Sequence, residues 1–115
     1  MNTEKEIILI NNAKEYFSSG KRDLGDKSYN SAVVMFFKCL IALVDLYLLK
    51  ELGDTPSSHS DRFRTIQEKF PDIYNLVDKD FPFYQESYIQ KMSKELAEVI
   101  RDDAKIMAEK NEIKL

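Results

Sequence analysis

The stretch from Ala32 to Leu49 constrains the fold more than any other part of the sequence. It consists of apolar and aromatic residues with only two charges, Lys38 and Asp45. Either charge at the centre of a bilayer would cost about 2.5–3.5 kcal/mol, which disfavours a membrane span. We therefore predict that this stretch is the buried central helix of a globular domain.

Local capping signals predict the ends of the first two helices. Thr3 and Glu6 have the spacing of a capping box, and Gly25 is a suitable stop for a first helix. A second helix is predicted from Tyr29 to about Leu52. The segment Gly53 to Ser58 contains glycine, proline and serine, and it predicts a loop.

The second half of the chain is divided by prolines. Ser58 predicts the N-cap of a third helix, which ends before Pro71 because the residue preceding a proline is pushed out of helical geometry. A short fourth helix is predicted from Asp72 to about Lys79, with a break at Phe81-Pro82. The last helix is predicted from about Phe83 to Asn111, with Ile89 and Val99 among its inward-facing residues.

These elements predict an all-α fold, an antiparallel up-and-down bundle of about five helices in a single domain, residues 1–115. The net charge of −3 provides no global basic field that would attract nucleic acid or an anionic membrane. One cysteine, Cys39, cannot form an internal disulfide, which favours a reducing cytoplasm, and no signal peptide is predicted. A single histidine and a single cysteine predict no metal site, and no motif indicates a cofactor.

Asp45 needs a partner, because a buried carboxylate without a donor is costly. Lys38 lies on the same helix face as Asp45 but seven residues earlier. The two are about 10 Å apart along the helix axis, which is too far for a direct ion pair. Asp45 is interpreted as a structural tie between helices, with a polar pocket or interface and a catalytic group as the alternatives. The predicted polar cluster, a candidate ligand site, comprises Asp45, His59, Arg62, Arg64, Tyr84 and Tyr88.

Three short segments stand at the starts of helices or beside loops: Tyr29-Asn30-Ser31-Ala32 before the long apolar helix, Ser58-His59-Ser60 after the loop, and Tyr84-Gln85-Glu86-Ser87-Tyr88. They resemble HEPN domains, the higher eukaryote and prokaryote nucleotide-binding family. The run Ser31 to Asp45, with His59-Ser60-Asp61-Arg62-Phe63 and Asp80-Phe81-Pro82-Phe83-Tyr84, resembles its small archaeal members in particular. The resemblance implies a helical bundle that usually forms a homodimer. It also implies a small nucleotidyltransferase as partner, in some cases as a toxin–antitoxin pair, and a nucleotide or RNA as ligand.

Many HEPN domains are ribonucleases that use an arginine followed four to six residues later by a histidine. The sequence departs from that motif, because its only histidine is His59 and no arginine stands at the required distance before it. The positions where the arginine would stand are Leu52, Gly53, Asp54 and Thr55. We therefore predict a non-catalytic, homodimeric binding module. The alternative is a divergent ribonuclease that uses His59 with Arg62 or Arg64.

A small basic patch is formed by Lys21-Arg22 and Lys27 between the first two helices. Asp23 and Asp26 interrupt it. Alternating charges of this kind are typical of a solvated turn, and the patch is interpreted in that way. The N-terminus of the third helix is the position predicted for an anion, if one binds.

Overall fold

Five α-helices and no strand make up the computed structural model over residues 3–115, the part of the chain that it describes. The helices are α1 (Glu4–Gly25), α2 (Tyr29–Leu52), α3 (His59–Lys69), α4 (Pro71–Glu86) and α5 (Lys94–Lys110). The prediction of an all-α bundle of five helices is confirmed.

The central helix is α2, which packs against α1, α4 and α5. It is long and apolar enough to cross a membrane, but most of its apolar segment is buried inside the bundle. Phe36, Leu40 and Leu43 are fully buried there. The interpretation of this stretch as a core helix is confirmed.

The predicted N-caps of α1 and α3 are present, whereas Ser28, predicted to cap α2, makes no side-chain capping hydrogen bond. The Thr3 side chain accepts a hydrogen bond from Glu6 N, and the Ser58 side chain accepts one from Asp61 N. Gly53 ends α2 with a φ of 87°, a left-handed conformation that favours glycine. Pro71 occupies the first turn of α4, where its missing N–H costs no hydrogen bond.

The prediction that α4 would end near Lys79 and break at Phe81-Pro82 is wrong. The helix continues through Pro82 to Glu86. Because proline has no N–H, the carbonyl of Asp78 has no donor within the helix. Asp78 and Pro82 are both exposed, so water can donate to that carbonyl. Phe81 and Tyr84 on either side pack against Phe37, with ring centroids 5.9 and 4.6 Å away, and this packing holds the helix together.

The predicted last helix from Phe83 to Asn111 is also wrong at its start, because α5 begins only at Lys94. Asn30 explains the break. Its Nδ2 donates to Ser87 O at 2.8 Å and to Gln90 O at 2.7 Å, and its Oδ1 accepts from Met92 N at 3.0 Å. These bonds satisfy backbone groups that a continuous helix would pair internally.

The break also changes which side chains face inward. Ile89 is 81% exposed in the connecting turn, and Val99 is 41% exposed on α5, although both were predicted to face the core. The phase of α5 is set by its own N-cap, Ser93, whose side chain accepts from Leu96 N. A helical periodicity extended from Phe83 through the connecting turn therefore predicts the buried side of α5 for Val99, which is the wrong side.

Candidate functional site

Asp45, the carboxylate within the apolar helix, is held by Arg62 in a two-point ion pair. Arg62 Nε donates to Oδ1 at 2.7 Å, and Nη2 donates to Oδ2 at 2.9 Å. The two side chains are only 10% and 15% exposed, so the pair lies in a region where an uncompensated charge is costly. The contact joins α2 to the first turn of α3.

His59, the first residue of α3, contacts the same guanidinium. Its Nδ1 lies 2.8 Å from Arg62 Nη1. Because an arginine side chain can only donate, Nδ1 accepts this hydrogen bond and the ring carries its proton on Nε2. Three nitrogens of Arg62 are therefore engaged by Asp45 and His59.

A pocket of about 250 Å³ opens beside Asp45, and we call it the α2 pocket. Residues from α1, α2, α3 and α4 line it: Leu9, Asn12, Tyr16, Phe37, Lys38, Ile41, Ala42, Asp45, His59 and Tyr84. Lys38 is exposed and makes no ion pair with the described residues. The pocket combines aromatic walls with a cation, an amide and two phenol hydroxyls, a composition suited to binding a small polar ligand.

The predicted polar cluster is only partly brought together. Asp45, His59 and Tyr84 line the α2 pocket, and Arg62 stands behind Asp45. Tyr88 lies outside it, with its hydroxyl 3.1 Å from that of Tyr84, an arrangement that raises the pKa of Tyr84. Arg64 also lies outside the pocket, and its Nη2 donates to Asp61 Oδ1.

The wall that α1 contributes to the pocket was missed from the sequence. Leu9, Asn12 and Tyr16 form its α1 wall. They follow one another at steps of three and four residues, so a single helical face carries them. That spacing was visible in the sequence, but only the packing of α1 against α2 shows which face borders Asp45.

A second buried polar cluster lies between α4 and α5. Asp80 is fully buried and Asp103 is 6% exposed, while Lys79 Nζ lies 2.8 Å from Asp103 Oδ2 and 3.8 Å from Asp80 Oδ1. Burial raises the pKa of Asp80 to about 8, aided by the neighbouring carboxyl group of Asp103 and its negative charge. At neutral pH a protonated Asp80 avoids a second negative charge beside Asp103.

The Asp80 pair makes stability depend on pH. Because the pKa of Asp80 in the folded protein exceeds the ordinary value of 3.8, folding is favoured while the group is protonated. The free energy of unfolding is expected to fall as the pH rises from about 4 to about 8. Urea unfolding across this range measures the trend. Asp80→Asn keeps the shape of the uncharged side chain and is expected to flatten the pH dependence. Parallel pH profiles of the free energy of unfolding for the two proteins would contradict the raised pKa of Asp80.

Among the described residues, neither a reactive thiol nor a metal-binding group adds to the chemistry of the α2 pocket. Cys39 is buried, and burial raises the pKa of its thiol to about 12, so it remains protonated at neutral pH. Within residues 3–115, no group of three or more histidine, cysteine or acidic side chains is placed to hold a metal ion.

No protein-family model matches the chain, and no curated protein matches it. Its function must therefore be inferred from the chemistry and geometry of its own residues.

Proposed function

We propose that the protein is a homodimeric binding module without catalytic activity, and that α2 forms the contact between the two copies. The outward face of α2, which we call the α2 stripe, carries this proposal. The α2 stripe consists of Val34, Lys38, Ile41, Ala42, Asp45 and Leu49. All except Ala42, which is 7% exposed, are partly or fully exposed within the single chain.

The α2 stripe is self-complementary. Its members form three pairs that are symmetric about the midpoint between Ile41 and Ala42, since Lys38 matches Asp45 and Val34 matches Leu49. In a two-fold, antiparallel contact, residues at equal distances from the crossing point face each other. Lys38 of each copy would then meet Asp45 of the other, while the apolar residues meet apolar residues.

The ion pair at Asp45 fits this arrangement. A carboxylate has about four lone-pair sites, and Arg62 occupies only part of them, so Lys38 of a second copy has acceptor sites to approach. The α2 pocket would lie at the seam between the copies. Tyr16 and Tyr84 in its wall offer aromatic faces to a ligand with a planar ring, such as a nucleotide or an RNA base.

The ribonuclease alternative lacks a supporting observation. Arg62 is engaged by Asp45 and His59, and Arg64 pairs with Asp61, so neither guanidinium is directed at a phosphate site next to His59. A ribonuclease needs a cation for the phosphate and a proton-transfer group together. RNA cleavage by the purified protein, abolished in His59→Ala, would overturn the non-catalytic proposal.

A charge reversal tests the dimer. Wild-type protein is expected to sediment as a dimer at micromolar concentration, and Lys38→Glu is expected to sediment as a monomer because it sets a carboxylate opposite Asp45 of the second copy. Lys38 is exposed, so this substitution leaves the fold of each chain intact. Ile106→Glu on α5, also at an exposed position, is the matched control and should remain dimeric. A wild-type monomer at this concentration excludes the proposal.

The resemblance to HEPN domains extends the proposal to a second partner, a small nucleotidyltransferase of the toxin–antitoxin type. Exposed Tyr88 and Ile89 in the turn between α4 and α5 offer apolar surface outside the α2 stripe. Copurification with tagged wild-type protein from the source cell tests this part. The expected result is a nucleotidyltransferase in the eluate that is lost with Ile89→Glu.

A further inference from the structure

We propose that a groove between the α1–α2 turn and α5 binds a small anion with several linked phosphate groups. This inference is independent of the dimer, because none of the residues involved belongs to the α2 stripe. The groove has a volume of about 490 Å³. We call it the basic groove, and it is lined by Lys21, Leu24, Gly25, Lys27, Tyr29, Lys94, Arg101 and Lys105.

The charge of the basic groove is unusual for this chain. Five of its eight lining residues are cationic and none is acidic, in a protein whose net charge is −3. Lys21 comes from the C-terminal part of α1 and Lys27 from the turn that follows it, where the sequence alone indicates only a solvated patch. The fold adds Lys94, Arg101 and Lys105 from α5, whose spacing of seven and four residues places them on one helical face.

Few carboxylates neutralise these cations. Arg101 contacts Asp102 at 3.0 Å and Glu98 at 3.7 Å, and Lys21 Nζ lies 5.4 Å above the ring of Phe17. Lys27, Lys94 and Lys105 have no ion-pair partner among residues 3–115. The mutual repulsion of converging cations is relieved when an anion binds between them.

Two of the cations stand where local energetics disfavour them. Lys94 is in the first turn of α5, where the helix dipole repels positive charge. Lys27 has a φ of 63°, a left-handed conformation that is uncommon for lysine. Neither placement improves the stability of the chain by itself, and both direct cations to the same groove.

The form of the groove selects the class of anion. Five cations spread over a groove of this volume match a chain of phosphates better than a single phosphate, since each lysine acts as a separate point charge. Leu24 and half-buried Tyr29 supply apolar and aromatic surface beside the cations. The ligand class is therefore an oligophosphate, either inorganic or carried by a nucleoside, and Tyr29 is the residue on which a base could stack.

Isothermal titration calorimetry with inorganic tripolyphosphate tests the proposal. One tripolyphosphate per chain is expected, bound more tightly than orthophosphate and more weakly as salt is raised. The double variant Lys94→Gln/Lys105→Gln is expected to lose about tenfold or more in affinity. Lys14→Gln/Lys69→Gln removes the same charge at exposed positions outside the groove and should stay within about twofold of wild type.

A parallel titration with a nucleoside triphosphate separates the two sources. Equal affinity for both ligands supports an inorganic chain, and tighter binding of the nucleotide that is lost in Tyr29→Ala supports a nucleotide. The proposal is overturned if tripolyphosphate produces no binding heat, or if the two double variants lose affinity equally. Binding of single-stranded RNA without binding of either small ligand also overturns it.

Discussion

Replacing Arg62 by alanine is expected to lower the free energy of unfolding by about 3–5 kcal/mol. The substitution leaves the Asp45 carboxylate, 15% exposed, without its two-point partner at the contact between α2 and α3. The melting temperature should fall by about 10 °C or more for a chain of this size. Thermal unfolding followed by circular dichroism measures the effect.

Arg64→Ala is the matched control for this prediction. Arg64 lies two residues further along the same helix and also pairs with an aspartate, Asp61, but its side chain is 68% exposed. Exposed ion pairs contribute about 0–1 kcal/mol, so the control should melt close to wild type. Equal losses in Arg62→Ala and Arg64→Ala would show that the Asp45 pair is not buried in solution.

The reciprocal substitution, Asp45→Ala, completes the argument. It leaves the guanidinium of Arg62, 10% exposed, without its carboxylate, and it should also be destabilising. The double variant Asp45→Ala/Arg62→Ala removes both charges, so it is expected to lose less stability than the sum of the two single variants. Near-wild-type melting of Asp45→Ala with loss of ligand binding or of the dimer would mark Asp45 as functional instead of structural.

Gly20→Ala is expected to destabilise the protein although alanine is the better helix former. A Cβ at Gly20 would lie 2.6 Å from Cδ1 and Cε1 of Phe36, which is fully buried and packs against Phe17 with ring centroids 5.5 Å apart. Overpacking of this kind costs about 1–3 kcal/mol and exceeds the roughly 0.5–1 kcal/mol gained in helix propensity. Urea unfolding at neutral pH measures the difference.

Gly25→Ala in the same helix provides the contrast. Apart from its chain neighbours and the backbone of its own helix, no atom lies within 4 Å of a Cβ placed there, and its φ is outside the left-handed region. The substitution should therefore be neutral or stabilise the protein by about 0.4–1 kcal/mol, because it restricts the unfolded chain. If both glycine variants were stabilised alike, the close approach of α1 to α2 would be contradicted.

The features that the sequence predicted correctly depend on neighbouring residues. Ser58 accepts from Asp61 N, three residues ahead, and Gly53 ends α2 through its own backbone conformation. The need of Asp45 for a partner also follows from its apolar neighbours alone, since desolvation of a carboxylate is costly wherever the chain folds. Arg62 belongs to the polar cluster that the sequence predicted around Asp45.

The errors have a different origin, because they involve contacts between distant segments. Asn30 ends the helical run after Glu86 through backbone groups of Ser87 to Met92, about 60 residues away along the chain. Pro82 is accommodated inside α4 because Phe81 and Tyr84 pack against Phe37 on α2. No local signal distinguishes the continuous helix at Pro82 from the break that a proline usually produces.

The sequence by itself determined that the chain forms helices around one apolar segment, and that a buried Asp45 must be neutralised by a donor. Only the tertiary structure decided that this donor is Arg62 and that α1 supplies a wall of the α2 pocket. It also showed that α5 brings three cations to the basic patch, which the sequence alone indicates to be a solvated turn. Periodicity and caps act within a few residues, whereas the partner of a charge depends on which helix faces are packed together.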